Sequence, residues 1–138
     1  MALKVEKFQP EGMNVRMAAG QPSYSHVVTV SGTGKLVFIA GQLARDIDGN
    51  CVGVGDMRAQ IVLAMDNVET VLSRAGYSLA DVVRLNYYTT NMEKFFEAYD
   101  AVTGRLTQAK CQPASTLLGV ACLARPELMV EIEATAMK

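Results

Sequence analysis

The sequence predicts an α+β domain: a mostly antiparallel sheet with two helices on one face. Two segments of helical periodicity each carry a single apolar stripe, so both can pack on the same side of a sheet. Six further segments are rich in β-branched and aromatic residues, and the elements follow one another as β-β-β-α-β-α-β-β. At 138 residues the chain fits one domain, residues 1–138, with length enough to bury a core without disulfides.

A short first strand is predicted over residues 5–9. "SHVVTVSGTGKLVFIAGQ" reads as a hairpin, with strands over 26–31 and 35–40 and Gly32-Thr33-Gly34 as the turn. A helix follows over 57–75, with Asp56 as N-cap and Gly76 beyond its C-terminal end. Its stripe is Ile61, Ala64, Met65, Val68, Val71, Leu72 and Ala75. The next strand spans 81–90, where Val83, Leu85 and Tyr87 take one face and Arg84, Asn86 and Tyr88 the other. "TNME" reads as a capping box between Thr90 and Glu93, opening a helix over 91–108. Strands over 114–122 and 128–137 close the chain. In the last, Val130, Ile132, Ala134 and Ala136 belong under the helices, while Met129, Glu131, Glu133 and Thr135 point the opposite way. That second face mixes apolar and charged groups, as an interface between subunits does.

Composition excludes several functions. The net charge of −1 gives no electrostatic grip on nucleic acid. No apolar run is long enough to span a bilayer. The N-terminal residues scatter charge where a signal peptide needs an apolar core, so a cytoplasmic protein is expected. Cys51, Cys111 and Cys122 form no C-x-x-C pair, and His26 is the single histidine. Neither a disulfide framework nor a metal site is expected; the thiols are read as buried or half-buried.

"PSYSHVVTV", "LVFIAGQLARDIDGN", "AMDNVETVLSRAGYSLADVVRLNYYTT" and "MVEIEATA" resemble the Rid family, also called YjgF or L-PSP. The resemblance runs from about residue 22 to residue 136. It implies a chorismate-mutase-like fold, a homotrimer, and small-molecule clefts at the subunit interfaces. It also implies hydrolysis of reactive enamines and imines to a 2-oxo acid and ammonia, with no cofactor. By the same resemblance Tyr24 closes the cleft, Glu131 orients or activates water, and Gly41 and Gln42 match the family's Gly-Gln. The family's arginine after Pro-Ala, which clamps the substrate carboxylate, is replaced here by Ser115, followed by Thr116. Tyr99 stands where deaminating members often carry asparagine.

Ser115 and Thr116 are therefore expected to form an uncharged lip, poorly suited to the smallest imino acids. Arg45 is the nearest substitute cation in the sequence. Three functions remain open: an imine or enamine deaminase with altered substrate choice, a non-catalytic trimeric small-ligand binder, and a ribonuclease. The last fits worst, with no basic groove to hold phosphates.

Overall fold

A computed structural model describes residues 1–18 and 20–138. Its strands are β1 (Lys4–Phe8), β2 (Met17–Ala18), β3 (Gln21–Pro22), β4 (Val27–Ser31), β5 (Leu36–Leu43), β6 (Val82–Thr89), β7 (Ala114–Gly119) and β8 (Val130–Met137). Its helices are α1 (Met57–Arg74), α2 (Met92–Glu97) and α3 (Asp100–Gln108). The main sheet has the order β5-β8-β6-β7. β8 is antiparallel to both neighbours, and β7 runs parallel to β6. The helices cover one face, and their apolar side chains form a single core with Leu85, Tyr87, Val130, Ile132, Ala134 and Ala136. This is the α+β architecture the sequence predicts.

The predicted hairpin does not form. β4 pairs with β1, and β5 pairs with β8. The glycines between them serve close approach instead. A Cβ on Gly32 would lie 2.2 Å from the Ala2 carbonyl oxygen, and one on Gly34 2.9 Å from that of Lys138. Lys35 N–H donates to the same Lys138 oxygen at 2.8 Å, so the chain turns a corner into β8 rather than folding back.

α1 begins as read: Asp56 accepts from the Ala59 amide at 3.0 Å. It ends in a Schellman motif on Gly76 (φ 87°), with Tyr77 N–H on Leu72 O at 2.8 Å and Gly76 N–H on Ser73 O at 3.0 Å. Gln60, outside the apolar stripe, is fully buried. Its amide donates to Gly53 O and Glu127 O and accepts from Met129 N, which satisfies it as a core strut. Val71, placed in the stripe by periodicity, is 37% exposed.

The predicted helix over 91–108 is broken between Glu97 and Asp100. Arg58 bridges the break. Its guanidinium grips the Asp100 carboxylate at 2.7 and 2.9 Å and donates to the Glu97 carbonyl at 3.2 Å. It thus satisfies a carbonyl at the end of α2 and secures an acidic residue in the first turn of α3. The N-cap of α2 is Asn91, which accepts from Lys94 N at 3.0 Å, so the Thr90–Glu93 capping box is corrected by one residue. Thr90 N–H is engaged elsewhere, on Met129 O at 3.1 Å. In β6 the register slips between Val82 and Arg84, and Val82 rather than Val83 enters the core.

Candidate functional site

Glu131 sits on the uncovered face of β8, between Leu43 of β5 and Tyr88 of β6. Its sequence neighbours Val130 and Ile132 are wholly buried on the other face, which fixes its direction. Room for the carboxylate comes from a slip in the β5 register between Ile39 and Gln42. A Cβ on Gly41 would lie 2.0 Å from Glu131 Oε1, so any larger residue there would push the carboxylate from this position. Gln42 stands in register with Ile132 and turns its amide back onto Ala40 O at 3.1 Å, bracing the bulge rather than reaching the acid.

Burial raises the Glu131 pKa above the ordinary carboxylate range, and the nearby charge of Glu133 raises it further. Glu133 accepts from the Tyr88 hydroxyl and from Asn86 Nδ2, the latter at 3.2 Å. The bond to Glu133, then burial, raises the Tyr88 pKa. Asn86 Oδ1 is buried and has no donor among the described residues. Beside it Arg84 Nη2 donates to Thr116 Oγ1 at 2.9 Å. An open depression of about 280 Å³ lies over Tyr88, Glu131 and Glu133, lined also by Gly41, Val120 and Cys122. Cys122 is exposed, contrary to the reading of the thiols as buried or half-buried; Cys111 is buried, which pushes its pKa up to about 11, and Cys51 is half-buried.

The other sequence-predicted residues divide. Thr116 is in register with Asn86 and shares the Glu131 face. Ser115 is in register with Leu85 and lies on the helix side, in line with Leu117 against the core. The two hydroxyls therefore do not form one lip. Arg45 lies beyond the end of β5, in an isolated bridge with Cys51, and its guanidinium reaches towards Gly49.

Tyr24 belongs to a different part of the molecule. Its hydroxyl donates to Asn14 O at 3.2 Å, and its ring meets His26 edge-on at 5.2 Å. Ser25 anchors this segment to the start of β7, through Pro113 O at 3.1 Å and Gln112 O at 2.5 Å. Nearby, Tyr99 packs among Tyr87, Phe95 and Phe96, and the Arg16 guanidinium lies 4.3 Å from the Phe96 ring centre. Pro113 is five residues before Leu118, which is level with Tyr88 and hence with Glu131. That is about 17 Å along the strands and about 10 Å across two of them. One small ligand does not touch Tyr24 and Glu131 of the same chain.

Arg84, Asn86, Tyr88 and Glu133 were given no chemical role from the sequence. The signal was present: alternation along 81–90 and 128–137 puts all four on the Glu131 face. No group of three or more His, Cys, Asp or Glu able to hold a metal occurs among the described residues. No helix among them is long and apolar enough to cross a membrane.

Comparison with known proteins defines the class first. The fold matches the crystal structure of a Rid-family protein of unknown function from Yersinia pestis, with TM-score 0.82, 36% identity, and 97% of this chain and 98% of that one covered. The model of the endoribonuclease L-PSP family matches residues 14–138, and the chain belongs to this family, the Rid (YjgF) group. A RutC family protein from Pyrococcus horikoshii is 31% identical over 76% of this chain and 81% of its own length. A protein from Dermatophagoides farinae named 2-iminobutanoate/2-iminopropanoate deaminase is 31% identical over 80% and 81%.

Proposed function

We propose that this protein is a cofactor-independent hydrolase of imines or enamines, converting R₂C=NH₂⁺ and water to R₂C=O and ammonium. The observation that carries this is Glu131: a carboxyl of raised pKa, held in an open depression by the close approach of Gly41. As a carboxylate it takes a proton from the water that attacks the imine carbon. As a carboxylic acid it returns that proton to the departing nitrogen. A pKa raised towards the working pH suits both roles. The deaminase name carried by one relative supports the reaction class.

The working form in this proposal is a homotrimer whose clefts draw on two copies. Tyr24 and Glu131 lie too far apart in one chain to share a small ligand, so a cleft using both takes Tyr24 from a neighbour. Phe38, 75% exposed in register with Thr135 on the Glu131 face, supplies apolar surface for that contact. A second reading, a trimeric binder without chemistry, is favoured by the short, helix-side Ser115.

Ammonia release decides between them, with imines generated in place by an amino acid oxidase or a dehydratase. Native protein accelerates release, and Glu131→Gln abolishes the acceleration while the trimer persists. Full activity in Glu131→Gln refutes the hydrolytic mechanism; no acceleration by native protein across the substrate panel favours the binder.

A further inference from the structure

A second cavity, of about 220 Å³, lies between β3 and the C-terminal half of α3, with Cys111 and Gln112 completing its wall. It is larger than a single water needs, and it shares no lining residue with the depression over Glu131. Its walls are tied together. Gln112 Nε2 donates to Pro22 O at 3.4 Å, and Ser25 N–H to Pro113 O at 3.1 Å. The lining is mixed: Pro22 and Leu106 are apolar, while Thr103 and Thr107, one turn apart on α3, bear hydroxyls. Lys110 is its one charged residue, and no acid lines it. Lys110 also belongs to no ion pair among the described residues; the cations paired there are Lys4, Arg58 and Arg105.

Lys110 stands there at a conformational cost. Its φ of 54° makes it the one non-glycine residue with left-handed backbone among the described residues. It holds the position beyond α3 that Gly76 holds beyond α1, and the same Schellman bonds close both helices. Cys111 N–H donates to Leu106 O at 2.8 Å, and Lys110 N–H to Thr107 O at 3.1 Å. Glycine adopts this conformation freely, whereas a Cβ crowds the following carbonyl. A lysine within the last turn of α3 would favour the helix end equally well without that cost. The strain is accounted for by the cavity that Lys110 lines. We propose that this cavity binds a small organic anion, with Lys110 as its charged partner. One lysine with no second cation balances a single negative charge, and Pro22 and Leu106 suit a short apolar chain, so the ligand is a short-chain monoanion such as a carboxylate. Burial pushes the Cys111 pKa up to about 11, so its thiol stays protonated and adds no competing negative charge. The proposal stands apart from the hydrolytic reading of Glu131 and does not depend on it.

The test joins binding to stability. Calorimetric titrations with butanoate, its neutral isostere butanamide and inorganic phosphate are run on native protein, Lys110→Gly, Lys110→Met and Lys110→Arg, together with thermal unfolding. Native protein binds butanoate in preference to butanamide and to phosphate. Lys110→Gly and Lys110→Met weaken butanoate by about 10- to 100-fold, while Lys110→Arg retains most of the affinity. At the same time Lys110→Gly raises the thermal midpoint by roughly 2–4 °C, because the left-handed strain is released. Gain of stability with loss of binding is the pairing that a lysine kept only for the helix end does not produce. Equal binding of butanoate and butanamide by native protein, or of butanoate by native protein and Lys110→Met, overturns the site. A lower midpoint in Lys110→Gly overturns the argument from strain. Tighter binding of phosphate than of butanoate overturns the ligand class.

Discussion

On one side of β8, Val130, Ile132, Ala134 and Ala136 are no more than 3% exposed and belong to the apolar core. On the other, Glu131 and Glu133 are half-buried among Gly41, Asn86 and Tyr88, with Thr135 further along. The same eight residues of backbone serve both faces. On the covered face free energy comes from area removed from water and from close packing, and position matters through volume. On the open face little area is removed, and position matters through where protons and charges stand. Substitutions on the first should change stability and leave chemistry alone; on the second they should do the reverse.

The sharpest way to break this contrast is Ile132→Ala. It is expected to cost about 2–5 kcal/mol, read from denaturant unfolding, with turnover per folded molecule unchanged. A loss of turnover without loss of stability would mean the faces are not separable. Gly41→Ala should do the opposite. The added methyl displaces the Glu131 carboxyl, and a shift of about 1 Å is expected to lower kcat about 100-fold with a smaller effect on unfolding. Rescue by a second change that shortens residue 131 to Asp would sharpen the case for a steric cause.

The pH profile comes next. In the proposed reaction Glu131 is the base, and burial with Glu133 raises its pKa, so the rate should fall as pH drops through a value above the ordinary carboxylate range. Glu133→Gln removes a like charge and moves this limb to lower pH; burial, the larger cause, keeps it above an exposed glutamate's. For stability, the folded chain disfavours the ionised form of Glu131. Its neutral form therefore contributes stability below the unfolded pKa, and this is lost as pH rises through the folded pKa. Glu131→Gln should abolish that loss in unfolding measurements across the window; an unchanged pH slope would argue against it.

The smallest effects separate Ser115 from Thr116. Thr116→Ala removes the hydrogen bond from Arg84 and should cost about 0.5–1.5 kcal/mol in denaturant unfolding, with turnover little changed. Ser115→Arg places its charge on the helix side and should not raise activity on a carboxylate substrate. A substantial gain in activity from Ser115→Arg would put position 115 back in the cleft.

What the sequence disclosed divides along the same line. The alternation of β8, the stripe of α1, and the roles of Asp56 and Gly76 follow from residues near one another in the chain, and all were legible. The hairpin was misread because Gly32 and Gly34 look like turn residues locally, while their cause is the approach of residues 2 and 138. The break before α3 is bridged by Arg58, and buried Gln60 is satisfied by Gly53, Glu127 and Met129, contacts that a periodicity cannot register. In the site, Glu131 and Gly41 were identified, but their mutual contact was not. Ser115 and Thr116 were taken together as one lip from the family resemblance, but neighbours in a strand lie on opposite sides. Arg84 was placed on the Glu131 face, but its bond to Thr116 was not legible, because Thr116 lies on another strand.

β8 is the last strand of the main sheet to be synthesised, yet it lies in the sheet's interior, hydrogen-bonded on both sides. Until it emerges from the ribosome, β5 and β6 each have an unpaired edge. The nascent chain is then a set of exposed strand edges with much of its core uncovered, the condition in which chains associate wrongly. Gly41 of β5 and Glu131 of β8 meet only when β8 slots between β5 and β6, so the candidate site comes into being at the closing step of folding. Partly made or trimmed chains lacking β8 therefore hold no half-assembled version of this cluster, and the proposed activity should first appear when the sheet is complete.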